Sequence, residues 1–174
     1  MFAGKSLFAM GAAMNEIKSE GKVYGIEPWN NVACAQGYEK GDPNRVWWEG
    51  LNMGQIERAF YAVRTYLNQG ERVVALKTKS ASAVEKFREL HNAGTPIDLL
   101  HIDGNHSEEA STADVEMFMP LVKPGGVVFM DDLNWDSTKM AQERMLDFCE
   151  EPRVEKGKAH CYGVYKKRED TEES

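Results

Sequence analysis

Two apolar runs in this chain end in acid. "DLLHIDGNHS", residues 98–107, closes on Asp103, and "PGGVVFMDDLNW", residues 124–135, closes on Asp131 and Asp132. Asp103 and Asp131 stand 28 residues apart, room for one helix and one turn, so the strands they end are expected to be neighbours. Three carboxylates converging on one edge repel one another unless something positive sits between them. A hard divalent cation, with oxygen ligands and some retained water, answers that need. Each acid also has a plainer reading, as the cap of the next helix or as turn chemistry in Asp103-Gly104-Asn105. Their coincidence at corresponding strand ends is what argues for a shared site. Glu27 closes a third apolar run, "KVYGIEPW", residues 22–29. An acid there is placed to accept hydrogen bonds from both hydroxyls of a ribose.

The elements that must position these acids are legible from periodicity. Strands are read over 22–29, 71–80, 97–104 and 125–133, with a last one over 159–167. The near-continuous apolar character of the inner ones suits strands covered on both faces, as in a parallel sheet. Helical spacing runs over 6–21, 52–70 and 80–94, each stopping at a glycine (Gly21, Gly70, Gly94). A further helix over 107–126 meets the breaker Pro124-Gly125-Gly126, and a last helix is read over 136–151. Strands alternating with helices predict an α/β, doubly wound, mostly parallel sheet. A single domain is expected over 1–167, with "REDTEES", residues 168–174, as a solvated, disordered acidic tail. The chain opens on "MFAGKSLFAMG", so a glycine turn and a helix come with almost no strand before them. A doubly wound sheet normally begins with a buried strand feeding that turn. The first strand is therefore expected to be missing or supplied in another way, leaving two inner strands short of a partner.

Composition narrows the function classes. The 174 residues are 42% hydrophobic and 28% charged, the balance of an ordinary globular domain. A net charge of -7 argues against sequence-independent binding to a phosphate backbone. No apolar run approaches a membrane span and no secretory signal opens the chain. Three cysteines, Cys34, Cys149 and Cys161, lack paired spacing, which favours a reducing compartment and opposes a zinc cluster. A cytoplasmic location is expected, with no nucleic-acid or membrane partner. "AGKS", residues 3–6, is similar to the tail of a phosphate-binding loop, but the glycine and strand such a loop needs ahead of it are not there. Trp29, Trp47 and Trp48 serve equally as flat walls of a pocket or as seals on the sheet's edge. The basic run 165–168 reads as a solvated strand end, and His101, inside its strand, as a buried histidine with its hydrogen bonds satisfied.

Taken together, "VYGIEPW", "DLLHIDGNHS" and "DVEMFMPLVKPGGVVFMDDLNW" resemble a class I S-adenosylmethionine-dependent methyltransferase. The nearest group is that of small-molecule and sugar O-methyltransferases containing the macrocin O-methyltransferases. The similarity runs from about Gly4 to Trp135 and takes in "NRVWWEGLN", residues 44–52. It implies a Rossmann-like methyltransferase sheet and a role for each matching residue. Gly4, Lys5 and Ser6 stand where a glycine-rich turn lies beside the methionine part of the cofactor. Glu27 matches the ribose-binding acid and Ser80 the position beside the adenine. Asp103, Asp131 and Asp132 match the metal-binding acids of magnesium-dependent members, with Asp103 also beside the cofactor. Catechol-type relatives place a lysine three residues after the first of these acids. Here that residue is His106, and a side chain with an ordinary pKa of about 6.5 suits a general base; a capping or solvent-facing histidine is the plainer alternative. Some sugar-modifying relatives use an Asp two residues on, where this chain has Asn105, which cannot serve.

The resemblance thus implies S-adenosylmethionine-dependent O-methylation of a small hydroxylated acceptor, such as a sugar or glycosylated metabolite, with Mg²⁺ assistance. His106 and Asp103 are the catalytic candidates. Two rivals stand beside it: a methyltransferase that needs no metal, and a non-catalytic module that keeps the fold for interaction. A homodimer that fills the place of the first strand belongs with the second rival.

Overall fold

The computed structural model describes residues 2–157 and 160–169. The chain is α/β and divides into two compact units, Met1–Ala83 and Val84–Ser174. In the first unit α1 (Lys5–Glu16), β1 (Val23–Ile26), α2 (Asn31–Cys34), α3 (Pro43–Gly50), α4 (Met53–Tyr66) and β2 (Val73–Leu76) follow in order. β1 and β2 run parallel, with Val23 opposite Val73 and Ile26 opposite Leu76. Their apolar side chains meet Leu7 and Phe8 of α1, Trp29, Cys34, and Met53 and Phe60 of α4 in one core. Phe60, fully buried, stacks on Phe8 with ring centroids 5.0 Å apart and meets Trp29 at 5.2 Å. Trp29 is therefore a core residue, whereas Trp47 is half exposed against Trp48.

The second unit takes in most of α5 (Ser80–Asn92), then β3 (Ile97–Ile102), α6 (Glu108–Phe118), a 3₁₀ turn (Met119–Leu121) and β4 (Val122–Met130). A second 3₁₀ turn (Asp136–Thr138), α7 (Lys139–Met145), β5 (Arg153–Lys156) and β6 (Cys161–Lys166) complete it. Its sheet has the order β3-β4-β6-β5; β3 and β4 are parallel and the other pairs antiparallel. Alternate residues of β3 and β4 (Ile102, Val128, Met130) face a core with Val115 and Met119 from one side of the chain and Ala141, Met145 and Cys149 from the other.

Several elements differ from what the sequence leads one to expect. Among the described residues the six strands form two sheets and not one, and no strand pairs with both β1 and β3. α1 ends at Glu16, with Lys18 already left-handed (φ 54°), so the helix terminates ahead of Gly21. α4 likewise ends before Asn68 (φ 51°), a residue type that tolerates this conformation, and not at Gly70. α5 does stop where Gly94 (φ 78°) predicts. Pro124-Gly125-Gly126 does not end an element. It bulges inside β4, where the register jumps from Ile97 opposite Val122 to Leu99 opposite Val127. Gly126 is needed there: a Cβ would lie 2.8 Å from the Lys123 carbonyl oxygen. The helix expected over 136–151 shortens to α7, and β5 is a strand the polar sequence "RVEK" does not announce.

The basic run is not a solvated strand end. Lys167 Nζ donates to the carbonyls of Met119 (3.0 Å) and Val122 (2.6 Å), and Arg168 donates to those of Leu146 (2.8 Å) and Asp147 (3.1 Å). Cations there satisfy carbonyls that the ends of the 3₁₀ turn and α7 leave over. Residues 170–174 of the expected tail lie outside the described residues. Among the described residues no helix is long and apolar enough to cross a membrane.

All three cysteines are buried and unbridged. Burial pushes the Cys149 thiol up to about 11, and burial together with the Glu27 carboxylate does the same for Cys34. At pH 8 only about one thiol in a thousand is then ionised. Neither is expected to react with a disulfide reagent or iodoacetamide in the native protein, and both should react on unfolding. Rapid native labelling at Cys34 or Cys149, read by peptide mass mapping, contradicts this.

Candidate active site

The register of β3 and β4 brings two of the acids together. His101 lies opposite Phe129 and Ile102 opposite Met130, and the ladder continues as the Asp131 amide donates to the Ile102 carbonyl at 3.0 Å. Asp103 and Asp131 thus leave adjacent strands side by side. The two-residue period of a strand puts His101 and Asp103 on one face, and Phe129 and Asp131 on the same face of the neighbour. Ile102 and Met130 point the other way, into the core. His101, Asp103 and Asp131 each offer one donor atom, and the three lie within 4.8 Å of one another. His101 Nε2 is 3.9 Å from Asp131 Oδ2. His101 is thus a partly exposed member of the acidic cluster and not the satisfied core histidine that its place inside a strand suggests.

Asp132 goes elsewhere. Its backbone is left-handed (φ 53°), which turns its side chain off the strand's alternation and towards His106. Asp132 Oδ2 lies 3.2 Å from His106 Nδ1, and Asp103 Oδ1 lies 3.7 Å from His106 Nε2. The Trp135 ring meets the imidazole edge-on, at 5.1 Å and 73°. The Asp132 turn is itself pinned: its carbonyl accepts from the Trp135 amide (3.1 Å) and from Oγ1 of the fully buried Thr138 (2.9 Å). Gln142 Nε2 donates to Thr138 Oγ1 and to the Leu133 carbonyl, both at 3.0 Å. On the other side Asn105 accepts from the Ser107 amide (2.8 Å) in an Asx turn that starts α6. So Asn105 carries the turn chemistry, with Asp103 left to point at the cluster. Trp135, Thr138 and Gln142 carry no sequence signal, being ordinary residue types in a loop and a helix. His101 does carry one, two residues before Asp103 on a strand.

Charge crowding is visible in the acids. Burial lifts Asp103 above the ordinary carboxylate range, Asp131 adds to the rise, and His101 and His106 partly oppose it. Burial also raises Asp132, with His106 pulling down and Asp131 pushing up. Two carboxylates raised by their surroundings beside a third are a cluster short of positive charge.

The remaining sequence candidates belong to the first unit. Gly4 opens α1 in the left-handed region (φ 89°), and a Cβ there would lie 2.4 Å from Phe8 and 2.8 Å from Phe60. Only glycine fits, for space and for backbone alike. Lys5 and Ser6 follow, exposed, in the first turn of α1, and Ser80 opens α5, half-buried. Glu27, buried just beyond β1, accepts from the amides of Phe2 (3.0 Å) and Trp29 (3.1 Å) and from the Cys34 thiol (3.7 Å). A carboxylate has about four acceptor positions, so this donor set still fits a ribose hydroxyl.

A family model described as "Methyltransferase domain" matches residues 1–133, about three quarters of the sequence. The chain belongs to this methyltransferase family. Among solved structures, this methyltransferase is similar to the O-methyltransferase NovP, with TM-score 0.64, 16% identity, and coverage of 97% of this chain and 69% of that one. It is also similar to the calicheamicin methyltransferase CalS11, with TM-score 0.59, 18% identity, and coverage of 93% and 68%. The apo form of CalS11, described as a TDP-rhamnose 3'-O-methyltransferase, gives TM-score 0.55 at 15% identity and coverage of 92% and 67%. At such identities the likeness is one of fold. No curated protein sequence matches the chain. As a methyltransferase of this fold the chain uses S-adenosylmethionine as methyl donor.

Proposed function

We propose that this methyltransferase methylates a hydroxyl of a small acceptor, of the sugar or glycosylated-metabolite class, with a divalent cation at the β3–β4 acids. The observation that carries the reading is the convergence of Asp103 and Asp131 with His101, and the seating of His106 between Asp132 and Asp103. The sugar substrate printed for CalS11 supports the acceptor class. In the first unit Gly4, Lys5, Ser6, Glu27 and Ser80 are the candidate residues for holding S-adenosylmethionine, which when bound would supply an electrophilic methyl group on a sulfonium. A divalent cation held by Asp103 and Asp131 would supply Lewis acidity, which lowers the pKa of an acceptor hydroxyl.

The chain's own residues do the rest. Asp132 Oδ2, 3.2 Å from His106 Nδ1, holds that edge of the ring and leaves Nε2 turned to Asp103. Trp135 against the ring edge holds its plane and keeps water from one side. His106 Nε2 is buried and lies 3.7 Å from Asp103 Oδ1. Thr138 and Gln142 hold the Asp132 turn and hence the distance from Asp132 to His106.

The test is calorimetric titration of S-adenosylmethionine and S-adenosylhomocysteine with and without Mg²⁺, followed by turnover on a panel of hydroxylated sugars. Micromolar cofactor binding and turnover abolished by a chelator are expected. His106→Asn should lower kcat about 10²–10⁴-fold. Turnover indifferent to chelation would favour the metal-free rival, and no turnover on any hydroxyl acceptor would sink the acceptor class.

A further inference from the structure

We propose that His101 is the third protein ligand of the cation site, so that the site takes a first-row transition ion, Mn²⁺ or the borderline Fe²⁺, Co²⁺ or Zn²⁺, in preference to Mg²⁺. The inference rests on the metal-assisted reading above and goes beyond it in naming the ligand and the ion class.

The argument is one of strand parity. Alternation puts His101 and Asp103 on the same face of β3, and the parallel register sets Asp131 beside them. The donor atoms of these three residues, and of no other group of three among the described residues, lie within 4.8 Å of one another. The third acid of the expected oxygen set is withdrawn: Asp132 is left-handed and its carboxylate sits 3.2 Å from His106 Nδ1. The donor set is therefore one imidazole nitrogen and two carboxylates. A set of oxygens and water suits Mg²⁺, which tolerates few protein ligands and demands a near-ideal octahedron. Replacing a carboxylate by imidazole removes one negative charge and adds a softer donor, which shifts preference towards first-row transition ions. The Phe129 ring meets the imidazole of His101 edge-on, with centroids 6.3 Å apart.

The test uses the full chain without cofactor, so that no activity is needed. Mn²⁺, Zn²⁺ and Mg²⁺ are titrated calorimetrically into the wild type, His101→Asn, His106→Asn and Asp132→Asn. Mn²⁺ and Zn²⁺ are expected to bind the wild type at least about tenfold more tightly than Mg²⁺. His101→Asn should lose about tenfold or more for Mn²⁺ and Zn²⁺ with little change for Mg²⁺, while Asp132→Asn changes each by less than about threefold. Pulsed EPR of bound Mn²⁺ should show nitrogen coupling in the wild type and His106→Asn that disappears in His101→Asn. Circular dichroism checks that each variant is folded; should His101→Asn unfold, nitrogen coupling persisting in His106→Asn still attributes the ligand to His101. Loss of binding in Asp132→Asn with full binding in His101→Asn would overturn the inference and leave the metal-assisted reading intact. No binding of any cation to the wild type would overturn both.

Discussion

Asp103→Asn is expected to lose methyl transfer by about 10²–10³-fold while making the folded chain more stable at neutral pH. The two effects share one cause. Asp103 is crowded by its own burial and by Asp131, which hold its folded pKa above the ordinary carboxylate value. A carboxyl whose pKa rises on folding contributes stability that is complete below the unfolded carboxylate range. That contribution disappears as pH rises through the folded value, and at neutral pH the ionised group is a cost. Asparagine removes that charge and keeps the shape. Because the side chain is 43% exposed, solvent screening limits the gain to about 1 kcal/mol, or a rise of roughly 2–4 °C in melting midpoint. The gain should vanish at pH values below the ordinary carboxylate range, where the wild-type acid is itself protonated, and shrink when a divalent cation saturates the wild type. Differential scanning calorimetry at neutral and at acid pH reads the first effect, and initial rates the second. A variant that melts lower at neutral pH yet keeps wild-type turnover would mean that Asp103 is a helix cap and nothing more.

The second large effect lies in the core of the first unit. Phe60→Ala is expected to cost about 3–5 kcal/mol, a large part of the roughly 5–15 kcal/mol by which domains are usually stable. Phe60 has no exposed surface; Phe8 stacks on it, and Trp29 and Tyr61 meet it at 5.2 Å and 5.3 Å. Its ring also closes over Gly4, so the loss should loosen the turn that opens α1. A truncation there leaves a cavity lined by stiff aromatic rings, which collapse into it poorly. Urea unfolding followed by tryptophan fluorescence measures the cost. A change below about 1 kcal/mol would show that the aromatic cluster is not the centre of that core.

Much of the candidate site is legible in the sequence, because it depends on local chemistry. Asp103 and Asp131 follow apolar strand runs, and alternation alone puts His101 on the face of Asp103. What alternation does not supply is the register between β3 and β4, which the bulge at Pro124-Gly125-Gly126 resets. Without that offset, no count along the chain says which residues of the two strands are neighbours. Asp132 is misleading for the same kind of reason. As a residue type it is another acid in a row; its left-handed backbone and the hydrogen bonds from Thr138 and Trp135 are what turn it to His106.

The elements divide along the same line. Helices α5 and α6 and strands β1 to β4 are legible because each carries a periodic apolar stripe or run. β5 is not, because "RVEK" is short and polar and becomes a strand only by pairing with β6. The capping of carbonyls by Lys167 and Arg168 also depends on neighbours far along the chain. Residue type and spacing are enough for the α/β class, the acids at the strand ends and the family likeness. They are not enough to say which donors meet, that the strands form two sheets, or that an imidazole stands among the carboxylates. Those points follow from register, backbone handedness and long-range hydrogen bonds, and none of these is a property of any one segment.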